Sequence, residues 1–203
     1  MVSLEIPLNN DYIELKTVFD NIYSKIITTE GRINENQYQF NNYIGDITKD
    51  IRWTWAINQK SKDLFNIKSI MKQINDFFHN DFIIQGCSFI TLYDKQVSKS
   101  CFHMDVTSHY DSKDSTNALT LIFPLYIDND MGGLEYKDKG KKKIYKYDCK
   151  KALIWDACKF EHRTQPYTLT EKKKRVLVSI NLSTEEEWAK YTVIDSLKYQ
   201  GNI

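Results

Sequence analysis

The sequence predicts an α+β fold that is mainly β, a jelly-roll or barrel core supported by N-terminal helices, and three observations predict it. Apolar residues recur at helical intervals ahead of residue 82. Beyond it the pattern changes to short strand-like runs separated by polar turns. About eight such runs in roughly 100 residues need two packed sheets to bury their apolar sides. With 203 residues, 41% of them hydrophobic, the chain suits one domain. Residues 1–81 are its helical support, 82–182 its core and 183–203 a closing helix and tail.

Taken in order, Tyr12, Leu15, Phe19, Ile22, Tyr23 and Ile26 fall at three- and four-residue spacings, so 11–27 is an amphipathic helix, with Asp11 and Glu14 spaced as a capping box. Residues 30–60 are rich in Asn and Gln, and the aromatic alternation of Arg52-Trp53-Thr54-Trp55-Ala56 reads as a strand. Leu64, Phe65, Ile67, Ile70, Met71, Ile74, Phe77 and Phe78 form a helical stripe over 61–79. Strands follow at 82–93, 100–106, 118–127, 133–137, 143–147, 152–156, 160–164 and 175–182, punctuated by Gly132-Gly133 and Gly140. Ser183-Thr184-Glu185-Glu186-Glu187-Trp188 reads as a capped short helix.

Charge narrows the function. Lys plus Arg number 28 against 27 Asp plus Glu, a formal net charge of +1, so no strong field draws nucleic acid or an anionic membrane. No run approaches the roughly 20 apolar residues of a membrane span, and the first residues lack the basic and apolar regions of an export signal, so a cytoplasmic protein is expected. Cys87, Cys101, Cys149 and Cys158 show neither CxxC nor finger spacing, which argues against a structural zinc site or a disulfide scaffold.

Only four histidines are present, His79, His103, His109 and His162, so metal or acid-base chemistry has few candidates. A strand over 100–106 sends His103 and Asp105 to one face. Two imidazoles and a carboxylate on one side of a metal leave positions open for substrate and dioxygen. His109-Tyr110-Asp111 is a rival His-x-Asp in a polar loop, and strand support favours the first pair. An arginine at 175 shares one strand face with Leu177, Ser179 and Asn181, and buried there it needs a planar anionic partner.

From residue 82 to 182 the chain resembles the 2-oxoglutarate/Fe(II)-dependent dioxygenases, most of all their prolyl 4-hydroxylase branch. Tyr93 stands ten residues ahead of His103. The apolar run Leu119 to Leu125 leads to Gly132-Gly133-Leu134, and Ala152-Leu153-Ile154-Trp155 precedes His162-Arg163-Thr164-Gln165-Pro166. Arg175 opens the last apolar strand. The resemblance implies a double-stranded β-helix core, Fe(II) held by His103, Asp105 and His162, and 2-oxoglutarate held by Arg175 and Tyr93 with Ser179 and Thr91. It further implies O2 as oxidant and ascorbate as an accessory reductant. The interval of 13 residues from His162 to Arg175 is long for the family and lacks the usual glycine, so Lys174 is an alternative anchor. Hydroxylation follows from Asp105, since halogenating relatives replace that carboxylate. A prolyl residue of a protein or peptide is the implied substrate, with 33–58 and 106–117 as substrate walls. A free amino acid or other small molecule is the alternative, and a non-catalytic jelly-roll binding module the alternative of another class. Neither nucleic acid nor a membrane is an expected partner.

Overall fold

The computed structural model of the chain describes residues 3–44, 51–98, 100–106 and 117–198. Its frame is a pair of long neighbouring antiparallel strands, β5 (Ile83–Val97) and β11 (Tyr167–Ser183), in the middle of an eight-stranded sheet. With β1 (Ser3–Pro7), β2 (Gly31–Glu35), β3 (Tyr38–Ile44), β4 (Ile51–Ala56), β6 (Ala118–Tyr126) and β9 (Lys151–Asp156), the order is β1-β9-β6-β11-β5-β4-β3-β2. A smaller sheet, β10-β7-β8, is made of β7 (Leu134–Asp138), β8 (Lys141–Tyr145) and β10 (His162–Thr164).

Alternation along the central strands assigns their side chains to two different environments. Cys87 and Phe89 of β5 and Val176, Val178 and Ile180 of β11 belong to the main core, together with Leu15, Phe19, Ile22 and Ile26 of helix α1 (Ile13–Thr28). Phe89 is the hub of that core. Its ring centroid lies 5.0 Å from those of Phe19 and Phe65 and 5.9 Å from that of Phe40. The alternate residues Ile90 and Leu177 join a second cluster, in which Ile122, Leu153 and Trp155 of the large sheet meet Leu134, Tyr136 and Tyr145 of the small one. Between these side chains lies the space enclosed by the two sheets.

Several elements depart from expectation. Residues 3–56 are not only a helical support, because they supply four strands to the large sheet. In β3 the alternation is carried by Tyr38, Phe40 and Asn42, and the buried Asn42 breaks the apolar pattern. Its amide donates to the carbonyls of Ile26 and Thr29, satisfying the end of α1, and its carbonyl accepts from Thr54. The stripe over 61–79 divides into α2 (Gln59–Phe65) and α3 (Lys68–Phe78), where Asn66 and Ile67 leave helical geometry. Asn58 caps α2 by accepting from the Ser61 N–H. Helix α1 has Tyr12 as its N-cap, and Glu14 accepts from the Tyr38 hydroxyl; the Asp11 side chain of the expected capping box lies outside the described residues. The C-terminal helix α4 (Glu187–Lys198) starts later and runs further than expected. The strand expected over 100–106 is absent: an isolated bridge between His103 and His162 stands in its place.

Two glycines meet specific needs. In the hairpin joining β7 to β8, Lys139 and Gly140 take φ of 50° and 77°, as a two-residue turn with the strands' twist requires. At Gly133 a Cβ would fall 2.1 Å from the Tyr145 carbonyl oxygen, so only glycine lets the strands approach. No helix among the described residues is long and apolar enough to cross a membrane.

Replacing Phe89 with Ala is expected to remove about 3–5 kcal/mol of stability, since three other rings lose their common partner. Urea unfolding measures it, and a loss below about 1 kcal/mol would contradict the placement of Phe89 at the core's centre.

Candidate active site

The segment 100–106 makes no ladder, yet it is held at several points. His103 and His162 exchange backbone hydrogen bonds, N to O, at 2.9 Å in both directions. The Val106 N–H donates to the Ala157 carbonyl at 3.2 Å, and Arg163 donates from Nη1 to the Ser100 carbonyl at 3.2 Å. Arg163 is itself buried and gripped by Glu135, with Nε 2.6 Å and Nη2 2.5 Å from Oε2. Its guanidinium lies 4.4 Å from the Phe102 ring centroid, so it braces both ends of the approach to His103.

This bracing brings His103, Asp105 and His162 together, their ligand atoms all within 4.8 Å of one another. Asp105 Oδ1 lies 4.0 Å from His103 Nε2 and 3.5 Å from His162 Nε2. The opposite ring nitrogens face backbone carbonyls, Nδ1 of His162 at 2.9 Å from the Phe160 oxygen and Nδ1 of His103 at 3.3 Å from the Cys101 oxygen. Those contacts set the rings so that both Nε2 atoms turn inward. His162 is buried, whereas 54% of the His103 side chain is open to solvent. Partial desolvation, reinforced by His162, still lowers the His103 pKa below the usual imidazole value.

Behind the cluster stands an aromatic stack. Trp155 packs on Phe160 with centroids 5.1 Å apart and planes at 25°, and Phe160 on Tyr136 at 5.2 Å and 21°. Trp155 touches His162 at 5.0 Å and donates its indole N–H to Asp105 Oδ2 at 2.9 Å.

Deeper between the sheets lies Arg175, 3% exposed. Its Nη2 is 3.4 Å from Thr164 Oγ1, Nη1 has no hydrogen-bond partner, and no carboxylate pairs with it among the described residues. Thr164 lies two residues beyond His162 on β10, on the same strand face, so the guanidinium, coming from the large sheet, and the cluster on the small one face the same space between the sheets. The Tyr147 ring is 5.8 Å from the guanidinium. Burial pushes its phenol up to about 12, with Arg175 opposing the shift and Asp105 adding to it. The buried Tyr167 hydroxyl has no partner either, and burial raises it to about 12 against the pull of Arg175. Ser179 faces the same way, directly across from Ser88, whose buried hydroxyl is likewise without a partner.

Three expected residues are not in this cavity. Tyr93 pairs in register with Lys174, and Thr91 with Val176, and both belong to the alternate set of side chains on the helical side of the sheet. The Lys174 ammonium sits 3.7 Å from the Tyr126 ring centroid and 4.5 Å from that of Tyr23, on that same side. Strand parity thus excludes Tyr93 and Thr91 as partners of Arg175, and Lys174 as its substitute. The rival pair His109 and Asp111, and most of the expected wall 106–117, lie outside the described residues. Reading the sequence missed Tyr147, Thr164 and Tyr167; Thr164 alone had a signal, its even spacing from His162.

No protein-family model and no curated protein sequence matches the chain. Solved structures do. A prolyl-4-hydroxylase from Pseudomonas putida is similar over 90% of this chain and 92% of its own, with a TM-score of 0.52 at 12% identity. A prolyl hydroxylase from Trichoplax adhaerens, in complex with a hypoxia inducible factor peptide fragment, is similar over 92% and 86%, with a TM-score of 0.56 at 14% identity. HygX from Streptomyces hygroscopicus, with nickel, 2-oxoglutarate and hygromycin B bound, is similar over 91% and 83%, with a TM-score of 0.57 at 9% identity. At such identities the likeness is one of architecture: the chain has the jelly-roll fold found in 2-oxoglutarate/Fe(II)-dependent oxygenases.

Proposed function

We propose that the protein is a 2-oxoglutarate- and Fe(II)-dependent dioxygenase that hydroxylates a C–H bond of a prolyl residue in a protein or peptide. The observation that carries this reading is a buried guanidinium without a carboxylate, facing the same space between the sheets as two inward-facing imidazoles and a carboxylate. The donor set fits Fe(II): two neutral nitrogens and one anionic oxygen hold a metal while leaving positions open. The orphaned fork of Arg175 fits one carboxylate of a dicarboxylate, which supplies the missing charge and two parallel acceptors.

His103, Asp105 and His162 would hold the metal. Arg175 would hold the distal carboxylate of 2-oxoglutarate, with Tyr147, Tyr167 and Ser179 offering hydroxyls around it. When bound, iron and cosubstrate supply the oxidation, in which 2-oxoglutarate becomes succinate and CO2 while one oxygen atom of O2 enters the substrate. The chain's own contribution is to fix the ligand atoms from behind and to keep the anchor pocket dry. Trp155, Phe160 and Leu177 line that interior with apolar surface, which strengthens the attraction between Arg175 and an anion. The prolyl substrate is supported by likeness to the two prolyl hydroxylases.

The deciding experiment is anaerobic reconstitution with Fe(II), then addition of 2-oxoglutarate and O2, with succinate measured and proline-containing peptides screened by mass spectrometry for a gain of about 16 Da. Gain on free amino acids or other small molecules alone would overturn the prolyl assignment, and absence of succinate formation the whole reading. His162→Ala is expected to weaken Co(II) binding by more than about 100-fold, beyond what losing a supporting contact does. His109→Ala should bind Co(II) as the parent does, and the reverse pattern in calorimetry would reassign the ligands. Arg175→Met should weaken 2-oxoglutarate binding about 100-fold or more, yet raise stability in its absence by about 1–4 kcal/mol by removing an uncompensated buried charge. Unfolding curves with and without 2-oxoglutarate report both effects, and unchanged stabilisation by 2-oxoglutarate would refute the anchor.

A further inference from the structure

We infer that Trp155 is a positioning residue that makes Asp105 a one-oxygen metal ligand. The inference rests on the metal-binding reading of His103, Asp105 and His162 and goes beyond it. A carboxylate has two equivalent oxygens and can grip a cation with both. Asp105 is not presented that way. Its Oδ2 accepts the Trp155 indole N–H at 2.9 Å, while Oδ1 is the atom that lies 3.5 Å from His162 Nε2 and 4.0 Å from His103 Nε2. An indole N–H only donates, so the oxygen that it meets is held as a hydrogen-bond acceptor.

The indole is well placed to impose this choice. Trp155 is 1% exposed and lies on β9, paired in register with Ser3 on one side and Thr120 on the other, so its backbone is held from both edges. Its ring is fixed by stacking on Phe160, which stacks on Tyr136, the residue opposite His162 in the register of β10 with β7. One side chain therefore touches two of the three ligands, Asp105 through its N–H and His162 through a tilted ring contact. The segment that carries Asp105 has no ladder of its own, so the carboxylate's rotation about χ2 needs an external restraint. The consequence is a coordination position kept open: if Oδ2 were also to bind, one of the positions needed by a two-oxygen cosubstrate or by O2 would be taken.

Trp155→Phe removes the N–H and retains a ring to stack on Phe160. Titration of the parent and the variant with Co(II), followed by visible absorption and calorimetry, reads both affinity and ligand geometry without turnover. The expected result is a 10- to 100-fold weaker Co(II) affinity, the scale of losing a supporting hydrogen bond, and an altered d–d spectrum, with near-unchanged thermal unfolding of the apoprotein. Because Phe is smaller, a second variant carries benzothienylalanine at 155, which keeps the indole's shape and lacks its N–H; it should reproduce the spectral change. Co(II) affinity and spectrum equal to the parent in both variants would overturn the inference while leaving the metal site standing. Failure of the parent to bind Co(II) would overturn the site and the inference together.

Discussion

The site depends on one backbone exchange, the pair of 2.9 Å hydrogen bonds between His103 and His162. Neither residue's segment is rigid alone: 100–106 has no ladder, and β10 is three residues long. Their pairing makes the first an extension of the small sheet, whose register then passes from His162 to Tyr136 and from Arg163 to Glu135. A reciprocal pair of this kind brings directly opposed Cα atoms to about 5.5 Å, which is why two imidazoles can converge on a single point. On the opposite face of the small sheet the largely buried Arg163–Glu135 pair ties Ser100 to the same register, so ligand geometry on one face is secured by an ion pair on the other.

The second constraint is energetic and opposes stability. A guanidinium at 3% exposure with one long contact to Thr164 is in an unfavourable place unless an anion joins it. Folding tolerates this because Arg175 pairs with Leu92 of β5 and stands next to the stretch from Val176 to Ser183 over which β11 is paired on both sides, by β5 and β6. The well-packed half of the sheet, around Phe89, offsets the poorly satisfied half. Unpartnered hydroxyls at Ser88 and Tyr167 add to the same deficit in the same region. Such a concentration of unmet polar groups marks a place shaped for a ligand.

Much of this was readable from residue order, and the limits have physical causes. Periodicity located α1 and the strands from β5 onward, because it reports burial on one side of an element. It did not find β2 and β3, whose inward positions include Asn42, a polar residue buried for its hydrogen bonds to the end of α1. The metal-ligand candidates were found by type and spacing, although the expected strand geometry at 100–106 was not the reason they converge. Tyr93 was misplaced because a fixed distance from His103 says nothing about parity when part of the intervening chain makes no ladder. Tyr147 was invisible for the complementary reason: it follows β8 at the open edge of the small sheet, where no sequence pattern links it to a residue on β11.

Parity also explains how two adjacent cations of similar sequence context acquire opposite roles. A shift of one position along β11 moves a side chain from one layer to the other. Lys174 falls on the helical side, where its flexible stem lets the ammonium settle against the rings of Tyr126 and Tyr23, and desolvation lowers its pKa there. Arg175 falls between the sheets, where a charge that is never shed must find a counter-ion. Had the register of β11 with β5 slipped by one, the lysine would enter the cavity and the arginine would face α1. The irregularity that separates the Thr168 and Lys173 pairings of β11 with β5 lies just ahead of this point. From Lys173 onward the pairing is continuous to Asn181, and that continuity is what turns arginine, and not lysine, toward the space that His162 faces from the other sheet.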